Sequence, residues 1–371
     1  MSLPDIGLSY SAGIKDGDQQ GNLLVSSPAT NALVPSSVIE IAVIKKSKRM
    51  PALDFTKGAL VLIMVLYHWL NYFVRPDGSI YKYLRFLTPS FIFITGFLIS
   101  QVYLSKYKAS GLGVPGRLLL RGFKLLGIVL CLNMALNAAR LKGFESRVGD
   151  WSPSDMAVAF LTGIAPVAFS VLVPIAYVLI LSAGLLIVSR QYRSIYHIAC
   201  AMFVACALVL ELKGIKSGYL QIFSMGMLGI SVGYIPIDRI NGLVKRPVAI
   251  FSAYLAYLSA ITLWDDVYPL QVVGVCLSLA VIYWIGLEGA EANRIRKVVI
   301  LLGHYSLFGY IAQIVILQVL RRSLAPFGSD IRLAGAALLA GVVSTILTVE
   351  ALDHARIRMA GLNKVYTAVF C

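Results

Sequence analysis

Charge is scarce along this chain: Asp, Glu, Lys and Arg supply 14% of its 371 residues, where a soluble globular chain runs nearer about 25%. Acidic groups are the scarcer, 18 against 33 basic ones, which leaves a formal net charge of +15. Cysteine is sparse as well. Cys131, Cys200, Cys206, Cys276 and Cys371 stand apart, with no CxxC pair and no Cys/His spacing. No disulfide framework and no metal site follow from them, and single buried thiols are expected. A P-loop lysine or a GxGxxG in a strand–helix context is also missing, so nucleotide-driven transport has no support. No repeat of about 20–50 residues recurs, which excludes solenoids and propellers. The first residues lack a basic stretch followed by an apolar core and cleavage site, so no secretory leader is expected.

What the chain does have is apolar length. Hydrophobic residues make up 58% of it and the mean hydropathy is +0.79. Apolar runs of about 20 residues recur, each long enough to cross the hydrocarbon of a bilayer. The expected fold is all-α and polytopic, with about ten transmembrane helices near 52–74, 84–104, 117–137, 166–189, 195–211, 218–235, 248–264, 268–287, 298–320 and 331–352. Residues 1–44, rich in Ser, Gly, Asp and Gln, read as a flexible cytoplasmic tail, and 45–371 as the membrane domain. The polar connection 138–165 ends in WSPSDMAVAFLTG, whose last part suits a re-entrant or interfacial helix.

The basic excess is explained by the membrane. With the N-terminus in the cytoplasm, the cytoplasmic flanks hold nearly twice the Lys and Arg of the opposite flanks, so both termini are expected to be cytoplasmic. No basic cluster is interleaved with aromatics as a nucleic-acid surface would be.

Within the apolar runs, ionisable residues are the candidates for chemistry, because charge in the hydrocarbon is expensive. The first span, LDFTKGALVLIMVLYHW from Leu53 to Trp69, carries Asp54, Lys57 and His68. The last two lie almost three whole turns apart, on one helix face, with an axial separation of roughly 16 Å. Two readings of each stand. His68 is either a functional group or a belt histidine among Tyr67, Trp69 and Tyr72. Asp54 and Lys57 are either part of a site or a local ion pair with a snorkelling lysine. Elsewhere, Gly96 suits close helix packing, and Asn133 and Asn137 suit bonds between helices. Trp264, Asp265 and Asp266 are carbohydrate-binding candidates or plain loop residues. His304 reads as a helix-end group, and Glu350, Asp353 and His354 as a local pairing.

These residues resemble the acyltransferase-3 family of integral-membrane acyltransferases, which includes glucan succinyltransferase-like and heparan-glucosaminide acetyltransferase-like members. The family opens with a basic residue, a Leu–Asp pair, an Arg or Lys before a small residue, and a histidine after ten intervening positions. Here those positions are Arg49, Leu53–Asp54, Lys57–Gly58 and His68. PSFIFITGFLIS (Pro89–Ser100) resembles the family's second-span segment, Arg117 and Arg121 its basic third-span entry, and LLGHYSLFGYIAQ (Leu301–Gln313) a late segment. Two positions depart. Lys57 replaces the usual arginine, keeping charge without the bidentate fork, and Gln313 replaces a histidine.

The resemblance implies an O-acyltransferase in a bacterial inner membrane. It would move an acyl group, acetyl from acetyl-CoA, onto a hydroxyl of a cell-surface or periplasmic saccharide, without a metal. His68 would be general base or acyl carrier. Lys57 and Asp54 would line or organise the donor path, and Arg117 and Arg121 would bind the donor phosphates. For the arginine pair, ordinary positive-inside flanking is the other reading. A secondary transporter, with Lys57, His68 and Glu350 as a relay, is the alternative from another class.

Overall fold

In lipid a backbone must satisfy its own N–H and C=O groups, so an apolar run long enough to span becomes a helix. The computed structural model describes residues 50–74, 78–104, 113–138, 169, 171–188, 194–215, 218–264, 267–289, 293–327 and 331–370. Among them every extended element is helical. The tail 1–44, the connection 138–165 after its first residue, the side chain of Asn137, the pair Asp265 and Asp266, and Cys371 lie outside the described residues.

The helices are α1 (Pro51–Trp69), α2 (Leu87–Leu98), α3 (Gly113–Ala138), α4 (Leu172–Val188), α5 (Ser194–Leu212), α6 (Gly218–Val232), α7 (Ile237–Val244), α8 (Pro247–Leu263), α9 (Tyr268–Glu288), α10 (Arg294–His304), α11 (Ser306–Leu324), α12 (Ile331–Arg358) and α13 (Ala360–Phe370). Seven described stretches are long and apolar enough to cross a membrane, and an eighth forms if α6 and α7, bent by 105°, count as one span. The helices α4 and α8 have 17 residues each, about 26 Å of rise and slightly short of the hydrocarbon thickness. The protein is an all-α, polytopic membrane protein.

Each of the ten expected runs overlaps one of these helices, but among the described residues only seven, or eight with the bent pair, are long and apolar enough to span, and one run is broken. The run 298–320 reads as continuous in sequence, but the chain breaks at Tyr305 (φ −104°, ψ 27°) between α10 and α11. A tight crossing holds α10 in place. An added Cβ at Gly303 would stand 1.7 Å from the Asp54 carbonyl oxygen, and one at Gly58 would stand 1.8 Å from that of Val299. Backbone therefore lies on backbone where α10 meets α1, an approach only glycine permits. A second crossing of the same kind joins α2 to α6. There, a Cβ at Gly96 would be 2.0 Å from the Gly226 oxygen, and one at Gly229 would be 2.0 Å from that of Phe93. The packing role expected of Gly96 is thus observed.

Polar atoms at helix ends fasten further pairs. Glu211, near the end of α5, accepts from the Tyr268 backbone N–H through both carboxylate oxygens (2.9 and 3.1 Å). A carboxylate there satisfies an orphan donor and complements the positive end of α9. At the other end of α9, Arg296 donates to the Gly286 carbonyl at 2.9 Å, the cationic counterpart of that arrangement. Asn133 donates to the Val129 carbonyl at 2.8 Å within its own helix.

The cysteines differ from expectation. Cys200 is buried, but Cys131, Cys206 and Cys276 are exposed, because a bundle in lipid turns apolar side chains outward as readily as inward.

Gly58→Ala and Gly303→Ala should each destabilise the fold by at least about 2–3 kcal/mol, seen as a lower thermal midpoint in detergent. Gly127 has nothing within 4 Å of its added Cβ, so Gly127→Ala should be neutral or stabilise by up to about 1 kcal/mol. Equal midpoints for the three variants would refute the close crossing.

Candidate functional site

The first helix delivers its two ionisable ends to different surroundings. Near the start of α1, the Lys57 ammonium pairs with the Asp54 carboxylate at 2.6 Å, one turn away, and both side chains are largely covered. The local ion pair is the arrangement found, so Lys57 has a counter-ion on its own helix. Gly58, the next residue, is the crossing point with α10. This end of α1 is therefore held rigidly.

His68 sits at the other end among aromatic rings. Its imidazole lies 5.3 Å from the Tyr67 ring at 73°, 5.8 Å from Tyr72 at 25°, and 6.4 Å from Tyr310 of α11. Past Trp69 the helix widens into a π-turn, Leu70–Val74, a local form that recurs at functional sites. Two contacts fix this end: the Trp69 indole donates to the Ala334 carbonyl of α12 at 2.6 Å, and the Arg321 guanidinium lies 5.9 Å from the Tyr72 ring centre.

In this setting His68 Nε2 is buried, with no hydrogen-bond partner among the described residues. One turn beyond Tyr310, Gln313 is wholly buried and neither amide atom has a partner among the described residues. Buried polar atoms are almost always satisfied, so two such groups beside one aromatic cluster require an explanation. Phe169 supplies a further sign. It packs edge-on against Tyr310 at 6.2 Å and holds φ at 61°, a left-handed conformation rare and strained for a bulky residue. Strain and unpaired polar groups tend to accumulate where a ligand completes the structure. An unpaired imidazole nitrogen can accept a proton from a hydroxyl or attack an acyl carbon.

The basic pair of α3 separates in space. Arg117 and Arg121 are both exposed, and Arg121 lines a cavity of about 180 Å³ where Arg117 does not. Lys124, one turn further along, lines the same cavity with Thr95 and Leu98 of α2 and Leu307 of α11. Leu307 and Tyr310 occupy successive turns of α11, about 4.5 Å apart along the axis. One face of α11 thus runs from the cationic cavity to the ring beside His68. A second cavity, about 190 Å³, is lined by Leu53, Phe93, Leu279 and other apolar groups and carries no formal charge.

The remaining candidates lie elsewhere. Trp264 is exposed just past α8. His304 ends α10, its ring 4.8 Å from that of Tyr305. Asp353 does not pair locally with Glu350 or His354 as expected; it accepts from the Tyr305 hydroxyl at 2.5 Å, across helices. The helix break at Tyr305 turns that hydroxyl toward α12. Tyr310, Phe169 and Lys124 were not singled out in the sequence. An aromatic in an apolar run and a lysine in a basic flank have the commonest surroundings a membrane chain offers.

The buried amide gives a test that needs no substrate. Gln313→Leu is close in volume and removes two unpaired groups, so it should stabilise the protein by about 1–3 kcal/mol, read as a higher thermal midpoint in detergent. A lower midpoint would mean that the amide is hydrogen-bonded in the folded protein.

In comparison with known proteins, the acyltransferase-3 family model, described as an acyltransferase domain, matches residues 50–350. No curated protein and no solved structure matches the chain.

Proposed function

The chain belongs to the acyltransferase-3 family, and on that footing we propose that it moves acetyl from cytoplasmic acetyl-CoA to a saccharide hydroxyl at the opposite membrane face. An acyltransferase with several spanning helices is a multi-pass integral membrane enzyme. The proposed setting is a bacterial inner membrane with both termini cytoplasmic. The observation that carries the reading is the pairing of a cationic cavity with a buried, unpartnered imidazole along one face of α11.

Arg121 and Lys124 hold the donor phosphates, since two cations one turn apart suit adjacent phosphate groups. Arg117, on the exposed rim, adds attraction at longer range. Asp54 and Lys57 neutralise each other and keep the entrance of α1 against α10, so that the donor path has a fixed wall. At the far end, His68 Nε2 takes the proton of the acceptor hydroxyl while its oxygen attacks the thioester carbonyl. The carbon–sulfur bond breaks, the thiolate leaves, and the imidazolium returns the proton to it. Gln313, beside Tyr310, is placed to meet the polar groups of a reactant. In the covalent variant the imidazole nitrogen first displaces the thiolate, and the acceptor oxygen then takes the acyl group from the acyl-imidazolium while its hydroxyl proton passes to the thiolate.

The transporter relay is less well supported. Its first member, Lys57, is already ion-paired within its own helix, and a relay gives no role to a cavity lined by Arg121 and Lys124.

Purified protein in proteoliposomes, given labelled acetyl-CoA and a mixture of glycan acceptors, should transfer label to an acceptor hydroxyl. His68→Ala should lower turnover by about a hundred- to ten-thousand-fold. Label held by the wild type without acceptor, and absent from His68→Ala, would identify the covalent variant. Full transfer by folded His68→Ala protein would overturn the assignment of His68. In the same assay, Arg121→Ala and Lys124→Ala should each raise KM for acetyl-CoA by roughly ten-fold, the loss expected for one charged hydrogen bond. The turnover number should change little, because phosphate contacts far from the reacting carbon bind ground and transition states alike.

A further inference from the structure

After its last long helix the chain turns back on itself. Met359 interrupts the helical run between α12 and α13, and the Asn363 N–H returns to the Met359 carbonyl at 3.1 Å. A short amphipathic terminal helix is normally free to fray, since it has few residues to bury. Here Arg356, two residues before the end of α12, clamps it. Its guanidinium carbon lies 4.0 Å from the centre of the Tyr366 ring and 5.3 Å from that of Tyr305. Nε and one terminal nitrogen both donate to Asn363 Oδ1, at 3.1 and 2.7 Å, and the other terminal nitrogen donates to the Tyr305 hydroxyl at 3.1 Å. Tyr305 in turn donates to Asp353. A planar cation stacked on rings while its fork binds a single oxygen is an arrangement lysine cannot reproduce.

The clamp places the end of α13 against the donor cavity. Val369 and Phe370 line the same space as Arg121 and Lys124. One contact of the Phe370 ring is with Tyr366, stacked at 4.8 Å, and another is with Phe308 of α11, edge-on at 6.2 Å. Tyr366 is buried, whereas Phe370 is only half-buried. The outer part of its ring is thus left as cavity wall, facing a space whose other side is cationic. A wall that is apolar on one side and doubly positive on the other suits a ligand with phosphates joined to a less polar moiety.

We infer that α13 is part of the donor site: Phe370 contacts the less polar portion of a phosphorylated acyl donor whose phosphates Arg121 and Lys124 hold, and Arg356 is the residue that positions it. This rests on the donor-site reading above and extends it to a segment beyond the last spanning helix.

Binding of unacylated coenzyme A to the full chain in detergent, measured by calorimetry, tests this without catalysis. Phe370→Ala should weaken binding about ten-fold, and Phe370→Tyr should restore most of it. Arg356→Lys, which keeps the charge but loses the fork and the stack, should weaken binding by a smaller factor. In acyl transfer both weakened variants should raise KM for the donor and leave the turnover number nearly unchanged. Val365→Ala, on the exposed side of α13, should behave as wild type. If Arg121→Ala and Lys124→Ala weaken coenzyme A binding while Phe370→Ala and Arg356→Lys do not, this inference is wrong and the donor site stands without α13. If none of the four variants changes binding, the donor-site reading itself fails, and the role of α13 falls with it.

Discussion

The contact of Gly58 with Gly303 is the constraint on which the other arrangements depend. With no side chain on either residue, the backbones of α1 and α10 touch, so neither helix can slide or rotate without a steric collision. That contact fixes the depth of α1, and with it the positions of the Asp54–Lys57 pair below and of His68 above. It also fixes α10, so the chain has to break at Tyr305 before α11 can rise beside α1. The break brings Leu307 to the cavity, Tyr310 to the imidazole and the Tyr305 hydroxyl to Asp353. Much of the local chemistry is downstream of one backbone-to-backbone approach.

The protein spends its few charges sparingly. Asp54 neutralises Lys57, Glu211 completes the start of α9, and Asp353 receives the Tyr305 hydroxyl next to Arg356. Each of these acidic groups is matched to a donor that would otherwise be an electrostatic liability in a medium without water. Arg121 and Lys124 of α3 are different, because they border a cavity. Positive charge at that cavity is what the proposed phosphorylated donor would meet.

Span positions were legible because the physics behind them is one-dimensional: apolar length alone decides whether a segment crosses a bilayer. The spacing of Lys57 and His68 was legible for a similar reason, since one helix carries both. The break at Tyr305 was not. LLGHYSLFGY sits within a long apolar run, and the glycine contact that packs the residue two before the break is visible only in the fold. Lys124 and Phe370 were hidden in the same way. One lay in a basic flank and the other at the chain end, and only folding brings them to a common wall. Gln313 was noticed as a departure from the family pattern. Its burial beside Tyr310, with no partner for its amide, gives that departure a physical meaning that spacing could not supply.

The unpaired polar groups around the imidazole also bear on how such a chain changes over generations. Random substitution favours whatever keeps the fold above its stability threshold, and at Gln313 an apolar replacement of similar size removes an unfavourable burial. A lineage released from its chemistry would therefore drift toward leucine or methionine at that position while the glycine crossings stayed intact. The interior of this bundle records two histories at once: the glycines register the need to fold, and the lonely amide registers the need to do something once folded.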